Sequence, residues 1–212
     1  MKKAIFAAAL LLITLAGWAQ IPAEVTDVMD RCRAVMINGN GLEYESDITA
    51  SLGPLSTKMH FVLADKGDLS RMVMTMKLMG KDVLVESSFD GTDTWRVHHS
   101  SKGDTITITR GNNKEKNAGD FALDCDKKYR KAQMKRKEGY YEITFSEPKE
   151  KDTEAKSITL KISDKNYTLR EMRSSIHGAR VTITIAKIRV GLKDSYFKLD
   201  LSKYPNAVVV RK

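Results

Sequence analysis

The stretch "LSRMVMTMKLMG", residues 69–80, decides the fold class because its apolar residues fit two different periods. Every second residue from Met72 to Leu78 is Met or Leu, which is the pattern of one face of a β-strand. Met72, Met76 and Met79 also fit the i, i+4, i+7 spacing of a helix face. However, the turn signals "DKGD" and "MGKD" lie too close on either side for a well-capped helix. The stretch therefore predicts a strand with one methionine-rich face.

Similar period-two patterns lie on both sides of this strand. In the first half of the chain they occur in "GLEYESDITASL", "LSTKMHFVLAD", "KDVLVESSFDG", "DTWRVHH" and "DTITITR". In the second half they occur in "GYYEITFSE", "KSITLKIS", "NYTLREMRSSI" and "HGARVTITIAKIRVG", and "AVVVRK" is a further short candidate. About eleven amphipathic strands at such close spacing, separated by turn-forming residues, predict an antiparallel sheet.

Two segments favour helix instead of strand. Residues 22–38 begin with Pro22, which suits a first helical turn, and carry apolar residues at a spacing of three to four. Residues 119–137 also have a helical pattern, although the imperfect periodicity leaves two short helices open. Seven Lys or Arg residues lie between Lys127 and Lys137, which favours a solvated helix face over contact with an anionic membrane or an acidic partner. Together the elements predict a strongly curved sheet with helices on its concave side, a shape that can enclose an apolar cavity.

The N-terminus has the features of a secretory signal peptide over residues 1–19. A basic start and an apolar run are followed by Gly17 and Ala19, small residues where a signal peptidase cleaves. The apolar run is shorter than the ~20 residues of a membrane-spanning helix, which disfavours a permanent anchor. We therefore expect cleavage before Gln20 and a single exported, soluble domain over residues 20–212.

The charge and the missing motifs exclude several function classes. A formal net charge of +9 indicates anionic partners such as membrane surfaces or acidic ligands, whereas export argues against nucleic acid. His98 and His99 are adjacent, so on a strand they would point to opposite faces and could not easily share a metal. The sequence has no nucleophile-elbow, metalloprotease, phosphate-loop or dinucleotide motif. We expect no catalytic residue, no metal and no cofactor.

The only two cysteines are Cys32 and Cys125. In an exported chain a pair of cysteines is more often bridged than free, which favours a disulfide between them. The alternative is two buried thiols that never meet. A bridge would tie the first helix to the second helical segment.

Two stretches resemble the bacterial outer-membrane lipoprotein carrier (LolA-like) family. In "VESSFDGTDTWRVHHSSKGDTITI", residues 85–108, Phe89, Asp90, Gly91 and Trp95 stand where that family has a strand, an S-D-G-x-x-x-W turn and a further strand. The closing stretch "VTITIAKIRVGLKDSYFKLDLSKYPNAVVV" is similar to the family's strand, loop, aromatic segment and final valine-rich strand. The order of Ile185, Phe197, Pro205 and Val208 matches. With the signal peptide and the helices, the resemblance covers nearly the whole mature chain.

The resemblance implies an unclosed antiparallel half-barrel of about eleven strands, with an N-terminal helix and a central helical lid on the concave side. It implies a periplasmic chaperone that binds acyl chains of lipoproteins or lipids and delivers them towards the outer membrane without covalent chemistry. The partners would be an inner-membrane release complex and an outer-membrane acceptor, and the carrier would act as a monomer.

One departure from the family pattern concerns control of the lid. Family members carry an Arg-Pro beside an aromatic strand, whereas this chain has "LADKGDLSRMVM" in that region. Neither Lys66 nor Arg71 can be assigned the role of that arginine. A lipid-sensing module that does not transfer its ligand is therefore the alternative function, and an exported structural β-protein with a filled core is a third.

The residues alone predict that the methionine face is core, and the resemblance makes it a deformable lining for acyl chains. The expected lid residues are Phe121, Leu123 and Tyr129. The expected cavity lining consists of apolar residues from the strands: Leu55, Met59, Phe61, Leu63, Met72, Met74, Met76, Leu78, Val83, Val85, Trp95, Val97, Ile158, Leu160, Ile183 and Ile185.

Overall fold

Two α-helices and one large sheet form the described part of the molecule. The computed structural model describes residues 21–37, 40–78, 81–100, 102–111, 123–150 and 155–212. Helix α1 spans Ala23–Met36, as the sequence predicts, and helix α2 is the single turn Cys125–Lys128. Within the described residues no helix combines the length and the apolar character needed to cross a bilayer. The predicted signal peptide lies outside the described residues.

The strands follow the predicted alternation closely. In chain order, β1 to β12 are Leu42–Leu52, Leu55–Lys66, Leu69–Leu78, Lys81–Phe89, Asp93–His98, Thr105–Arg110, Tyr129–Lys137, Tyr140–Pro148, Ala155–Ser163, Leu169–Ile176, Ala179–Val190 and Val208–Arg211. They form one sheet in the order β12-β6-β5-β4-β3-β2-β1-β11-β10-β9-β8-β7. The pairing is antiparallel except between β12 and β6, which run parallel. The predicted unclosed, mainly antiparallel sheet with an N-terminal helix is confirmed.

The predicted helix over residues 119–137 is wrong from Tyr129 onward, where strand β7 begins. Ala132 and Met134 of β7 pair with Phe145 and Ile143 of β8, so that their side chains add to a sheet face. β7 is the last strand of the sheet in this order. Its exposed lysines and arginines suit an edge strand, because charged side chains discourage edge-to-edge pairing with other chains. The basic run is therefore an edge, and only one turn of it is helical.

Helix α1 packs on one face of the sheet, which we call the helical face. Its buried side chains are those of Val25, Val28, Met29, Cys32 and Met36, which recur at the predicted spacing. They share a core cluster with residues of β8 and β9 that are almost inaccessible to solvent: Ile143, Phe145, Ile158, Leu160 and Ile162. We call this part of the helical face the covered half.

The opposite, outer face is crossed by residues 191–207, which we call the C-terminal strap. Phe197 of the strap is fully buried against Ala64 and Leu192. Ser88 of β4 donates hydrogen bonds to the carbonyl oxygens of Ser70, at 2.7 Å, and of Phe197, at 2.8 Å. Both faces of the sheet are therefore covered over part of their area, the helical face by α1 and the outer face by the strap.

The strap begins at a close approach that requires glycine. Gly41 has a φ of +85°, and a Cβ there would lie 2.9 Å from the Cβ of Leu192. The amide of Gly191 also donates to the carbonyl oxygen of Gly41 at 3.0 Å. A side chain at position 41 would therefore strain the backbone and push the start of the strap away from the sheet.

Candidate functional site

Strand register brings most of the predicted lining residues onto the helical face. Residues opposite each other in a ladder lie on the same face, so one row can be followed from the covered half across to β4. The row runs through Ile143, Leu160, Met172, Ile183, Ile48, Met59, Met76 and Val83. A parallel row contains Ile185, Ser46, Phe61, Met74 and Val85, and a third contains Leu63 and Met72.

Burial divides this face into two parts. The covered half under α1 holds Ile158 and Leu160, each about 1% exposed, so these two predicted lining residues are core. The remainder, which we call the methionine half, consists of side chains that are only partly buried, apart from the predicted lining residue Leu63, which is 7% exposed. Its members are Met59, Phe61, Met72, Met74, Met76, Val83 and Val85.

The methionine half is a broad apolar surface with little polar chemistry. Its second and third rows also contain the small hydroxyl residues Ser46 and Ser87. Three neighbouring thioethers on β3 give it side chains with three rotatable bonds each, which can repack around guests of different shape. Within the described part of the chain, no group of three His, Cys, Asp or Glu residues could hold a metal ion. The surface is suited to binding apolar matter.

Trp95 and Val97 do not belong to this face, and their prediction as lining is wrong. Val97 pairs with Glu86, and Trp95 pairs with Ser88, both of which lie on the outer face. There Trp95 and Val97 are 3% and 0% exposed and form a cluster under the strap with Ile106 and Ile108. Alternation within β5 was predicted correctly, but the strand presents its apolar side to the strap.

Two further predicted residues lie at strand ends. Leu55 begins β2 at the tip of the β1–β2 hairpin and is 72% exposed, so it lines no enclosed space in the described structure. Leu78 ends β3 and pairs with Lys81, and its side chain lies outside the described residues.

The predicted lid residues are differently placed. Phe121 lies outside the described residues, whereas Leu123 and Tyr129 are buried members of the core with α1. The Tyr129 hydroxyl donates a 2.8 Å hydrogen bond to the carbonyl oxygen of Ala155, and burial raises the pKa of the phenol to about 12. Tyr129 therefore anchors the start of β7 in the core, and its assignment to a helical lid is wrong.

The two cysteines are free in the structure, which contradicts the predicted disulfide. Cys32 on α1 and Cys125 on α2 are both fully buried in the same core cluster. Burial raises the pKa of each thiol to about 12. Thiols that remain protonated near neutral pH react slowly, so both behave as small apolar residues.

An ion pair beside the cysteines holds the two helices together. Arg33 donates from Nη1 to Oδ1 of Asp126 at 2.8 Å and from Nη2 to Oδ2 at 2.9 Å. Nη1 also donates to the carbonyl oxygen of Leu123 at 2.7 Å. The Asp126 hydrogen bond is the largest of the effects that raise the pKa of Arg33. This bidentate pair ties α1 to the segment before β7.

Sequence reasoning missed the central strand of the site. Ile48 of β1 lies between Ile183 and Met59 and joins the covered half to the methionine half. Tyr44, four residues before Ile48 on β1, is partly buried and packs against the core cluster. The loose alternation of "GLEYESDITASL" was the available signal, and it indicated the strand without showing that it lies at the middle of the sheet.

These features define a class of fold: an unclosed, mainly antiparallel half-barrel with a helix packed on one face and a partly exposed apolar surface beside it. Among solved structures, the chain is similar to an uncharacterized conserved protein from Thermus thermophilus. The TM-score is 0.52, and the 9% identity applies over 89% of this chain and 99% of that one.

Two further solved structures are similar to the chain. One is a LolA superfamily protein from Nitrosomonas europaea, with a TM-score of 0.39 and 11% identity over 82% of this chain and 97% of that one. The other is LprF from Mycobacterium bovis, with a TM-score of 0.44 and 11% identity over 79% and 94% of the two chains. At these identities the likeness concerns the fold alone. No family model and no curated protein sequence matches the chain.

Proposed function

We propose that this protein is a periplasmic carrier that binds the acyl chains of lipidated proteins or lipids on the methionine half of the helical face. The observation that carries the proposal is the run of cross-strand partners from Ile183 to Val83. It places apolar side chains in register across five strands and leaves them only partly buried. An exposed apolar surface of this kind on an exported protein favours binding of an apolar ligand.

Binding and release on this surface need no covalent chemistry. Each acyl methylene that leaves water contributes about 0.8 kcal/mol, and this gain is offset by the cost of ordering the guest and the methionines. The guest exchanges one apolar environment for another when it moves between proteins or to a membrane. We infer that the protein delivers its guest towards the outer membrane, from an inner-membrane release complex to an outer-membrane acceptor.

A lipid sensor that does not transfer its ligand is the second candidate function. It is favoured by the Arg33–Asp126 ion pair between the helices, which we call the clamp. Breaking the Arg33–Asp126 pair leaves a charge buried, because the Asp126 side chain is 6% exposed. A carrier that opened by lifting α1 would have to meet that cost at each cycle. A sensor that holds its ligand would not.

The first experiment asks whether the methionine half binds acyl chains. A fluorescent fatty acid is titrated into the mature protein and into Met74→Gln/Met76→Gln, which keeps side-chain size but adds polar amides. We expect affinity to fall about tenfold, the equivalent of about 1.4 kcal/mol.

The matched control is Val73→Gln/Leu84→Gln, with one change on β3 and one on its neighbour β4. Residues 73 and 84 alternate with the methionine rows and lie on the outer face. Unchanged binding in this control is expected. Equal loss in both double variants, or no binding by the parent, would refute the proposed site. Mass spectrometry of extracted ligand then identifies the natural guest.

Transfer and export are tested separately. Carrier function predicts movement of a lipidated protein from inner-membrane vesicles to an acceptor, whereas a sensor retains it. N-terminal sequencing of the mature protein should begin at Gln20 if the signal peptide is cleaved as predicted.

A further inference from the structure

The outer face carries a pocket that the proposed function does not use, which we call the strap pocket. It has a volume of about 410 Å³, within the range of ligand-sized sites, and lies between the strap and strands β3 and β11. Five basic residues line it: Arg71, Arg189, Lys193, Lys198 and Lys203. Among the described residues that line it, Asp200 supplies the one carboxylate.

A tyrosine sandwiched between two arginines forms the floor of the strap pocket. Arg189 pairs with Glu43, Glu43 with Ala64, and Ala64 with Arg71, so the two arginines stand in one outer-face row with Glu43 and Ala64 between them. Tyr196 of the strap fills that space. The guanidinium carbons of Arg71 and Arg189 lie 4.8 and 5.1 Å from the centroid of its ring.

Both guanidinium groups are held in position by the surrounding protein. Arg189 pairs with Glu43 at 2.9 Å, and the Tyr196 hydroxyl donates to the same carboxylate. Arg71 pairs with Glu86 at 3.4 Å and donates to the carbonyl oxygen of Tyr196 at 3.2 Å. Because the two planar groups are ordered in advance, little entropy would be lost on binding.

Three lysines complete the strap pocket and supply its excess charge. Lys193, Lys198 and Lys203 are exposed, and none of them lies within 4 Å of a carboxylate among the residues that the structure describes. The Asp200 carboxylate is engaged within the strap, since it accepts hydrogen bonds from the amide and hydroxyl of Ser202. The strap pocket therefore has more positive charge than its own acidic residues neutralise.

We propose that the strap pocket binds a phosphoryl group. Three ammonium groups that line one pocket beside a guanidinium group match the several oxygens and the double negative charge of a phosphate better than they match a single carboxylate. The source would be either the headgroup of an anionic phospholipid or a small soluble phosphate. Because the strap pocket lies on the outer face, this site is separate from the apolar surface and does not depend on it.

The test measures binding to two probes by the full mature protein. Inorganic phosphate is titrated by calorimetry, and vesicles of phosphatidylglycerol are compared with vesicles of phosphatidylcholine by flotation. The test variant is Lys193→Gln/Lys198→Gln/Lys203→Gln. The control is Lys135→Gln/Lys156→Gln/Lys165→Gln, which removes the same charge from exposed positions on or next to β7 and β9, towards the β7 edge of the sheet.

We expect the test variant to bind its probe about tenfold more weakly, with the control within about twofold of the parent, because charge-assisted contacts depend on position. Arg189→Lys, which keeps the charge but loses the fork, should weaken binding less. Binding of phosphate alone identifies a soluble ligand, and preferential flotation with phosphatidylglycerol identifies a headgroup. The proposal is overturned if the parent binds neither probe, or if both triple variants lose binding equally.

Discussion

The two halves of the helical face are built from different side chains although they belong to one continuous sheet. The covered half uses Ile143, Ile158 and Ile162, stiff β-branched residues that are almost fully buried under α1. The methionine half uses Met72, Met74 and Met76 on the same face of the sheet, and these are only partly buried. Stiff side chains suit a core with one arrangement, and flexible ones suit a surface whose partner changes. The difference marks which half stabilises the fold and which half is available to a ligand.

The largest expected effect tests this division directly. Phe145→Ala in the covered half should lower the free energy of unfolding by about 4 kcal/mol, because a fully buried ring leaves a cavity. Met74→Ala should cost only about 1 kcal/mol, because its side chain is already partly exposed. Urea denaturation measures both values. Similar losses would show that the two halves do not differ in the way that their burial indicates.

The next effect concerns the clamp that holds α1 over the covered half. Asp126→Ala leaves Arg33 without its buried partner and should destabilise the protein by about 3 kcal/mol. Amide hydrogen exchange in α1 should become faster. Asp30→Ala is the matched control, because its carboxylate contacts the same guanidinium from a position that is 63% exposed. A larger loss from the control than from Asp126→Ala would contradict the role of the clamp.

A smaller effect appears at alkaline pH and again involves the covered half. The thiols of Cys32 and Cys125 have pKa values raised by burial from 9.0 to about 12. Their stabilising contribution is therefore complete below pH 9 and is lost as the pH rises towards 12. Each thiol should account for about 1 kcal/mol of lost stability at pH 10.

The free energy of unfolding, measured by denaturation between pH 8 and 10.5, should consequently fall less steeply with pH for Cys32→Ala/Cys125→Ala than for the parent. Thiol labelling separates the two states of the cysteines. If two labels are incorporated, and only after unfolding, the thiols are free and buried. If the unfolded protein takes up no label unless a reductant is added, the cysteines form the predicted disulfide.

The smallest effect is expected on the solvent side of α1. Asp27 and Arg31 form an ion pair whose side chains are more than half exposed. Asp27→Ala should change the free energy of unfolding by less than about 0.5 kcal/mol, because exposed pairs gain little. Thermal unfolding at low and high salt checks this value. A loss comparable to that of Asp126→Ala would mean that the exposed side of the helix also holds the covered half together.

Much of the candidate site could be predicted from residue patterns because alternation along a strand is a local property. The stretch from Met72 to Met76 was predicted as a strand, and its methionines do share one face. The alternation of Trp95 and Val97 was predicted equally well, yet these residues face the strap. Period-two spacing shows that two residues lie on the same side of a strand, but it cannot show which side of the sheet that is when both sides are covered.

The sequence by itself determined a β-rich chain, a first helix over residues 22–38 that the structure places at Ala23–Met36, the strand count to within one and the methionine-rich face. Only the tertiary structure decided that Tyr129–Lys137 is an edge strand, that the cysteines are free, and that the strap gathers five cations around Tyr196. The physical reason is the range of the interactions. Periodicity and turn chemistry act between near neighbours, whereas strand pairing, burial and clusters of charge depend on residues that are distant in the chain.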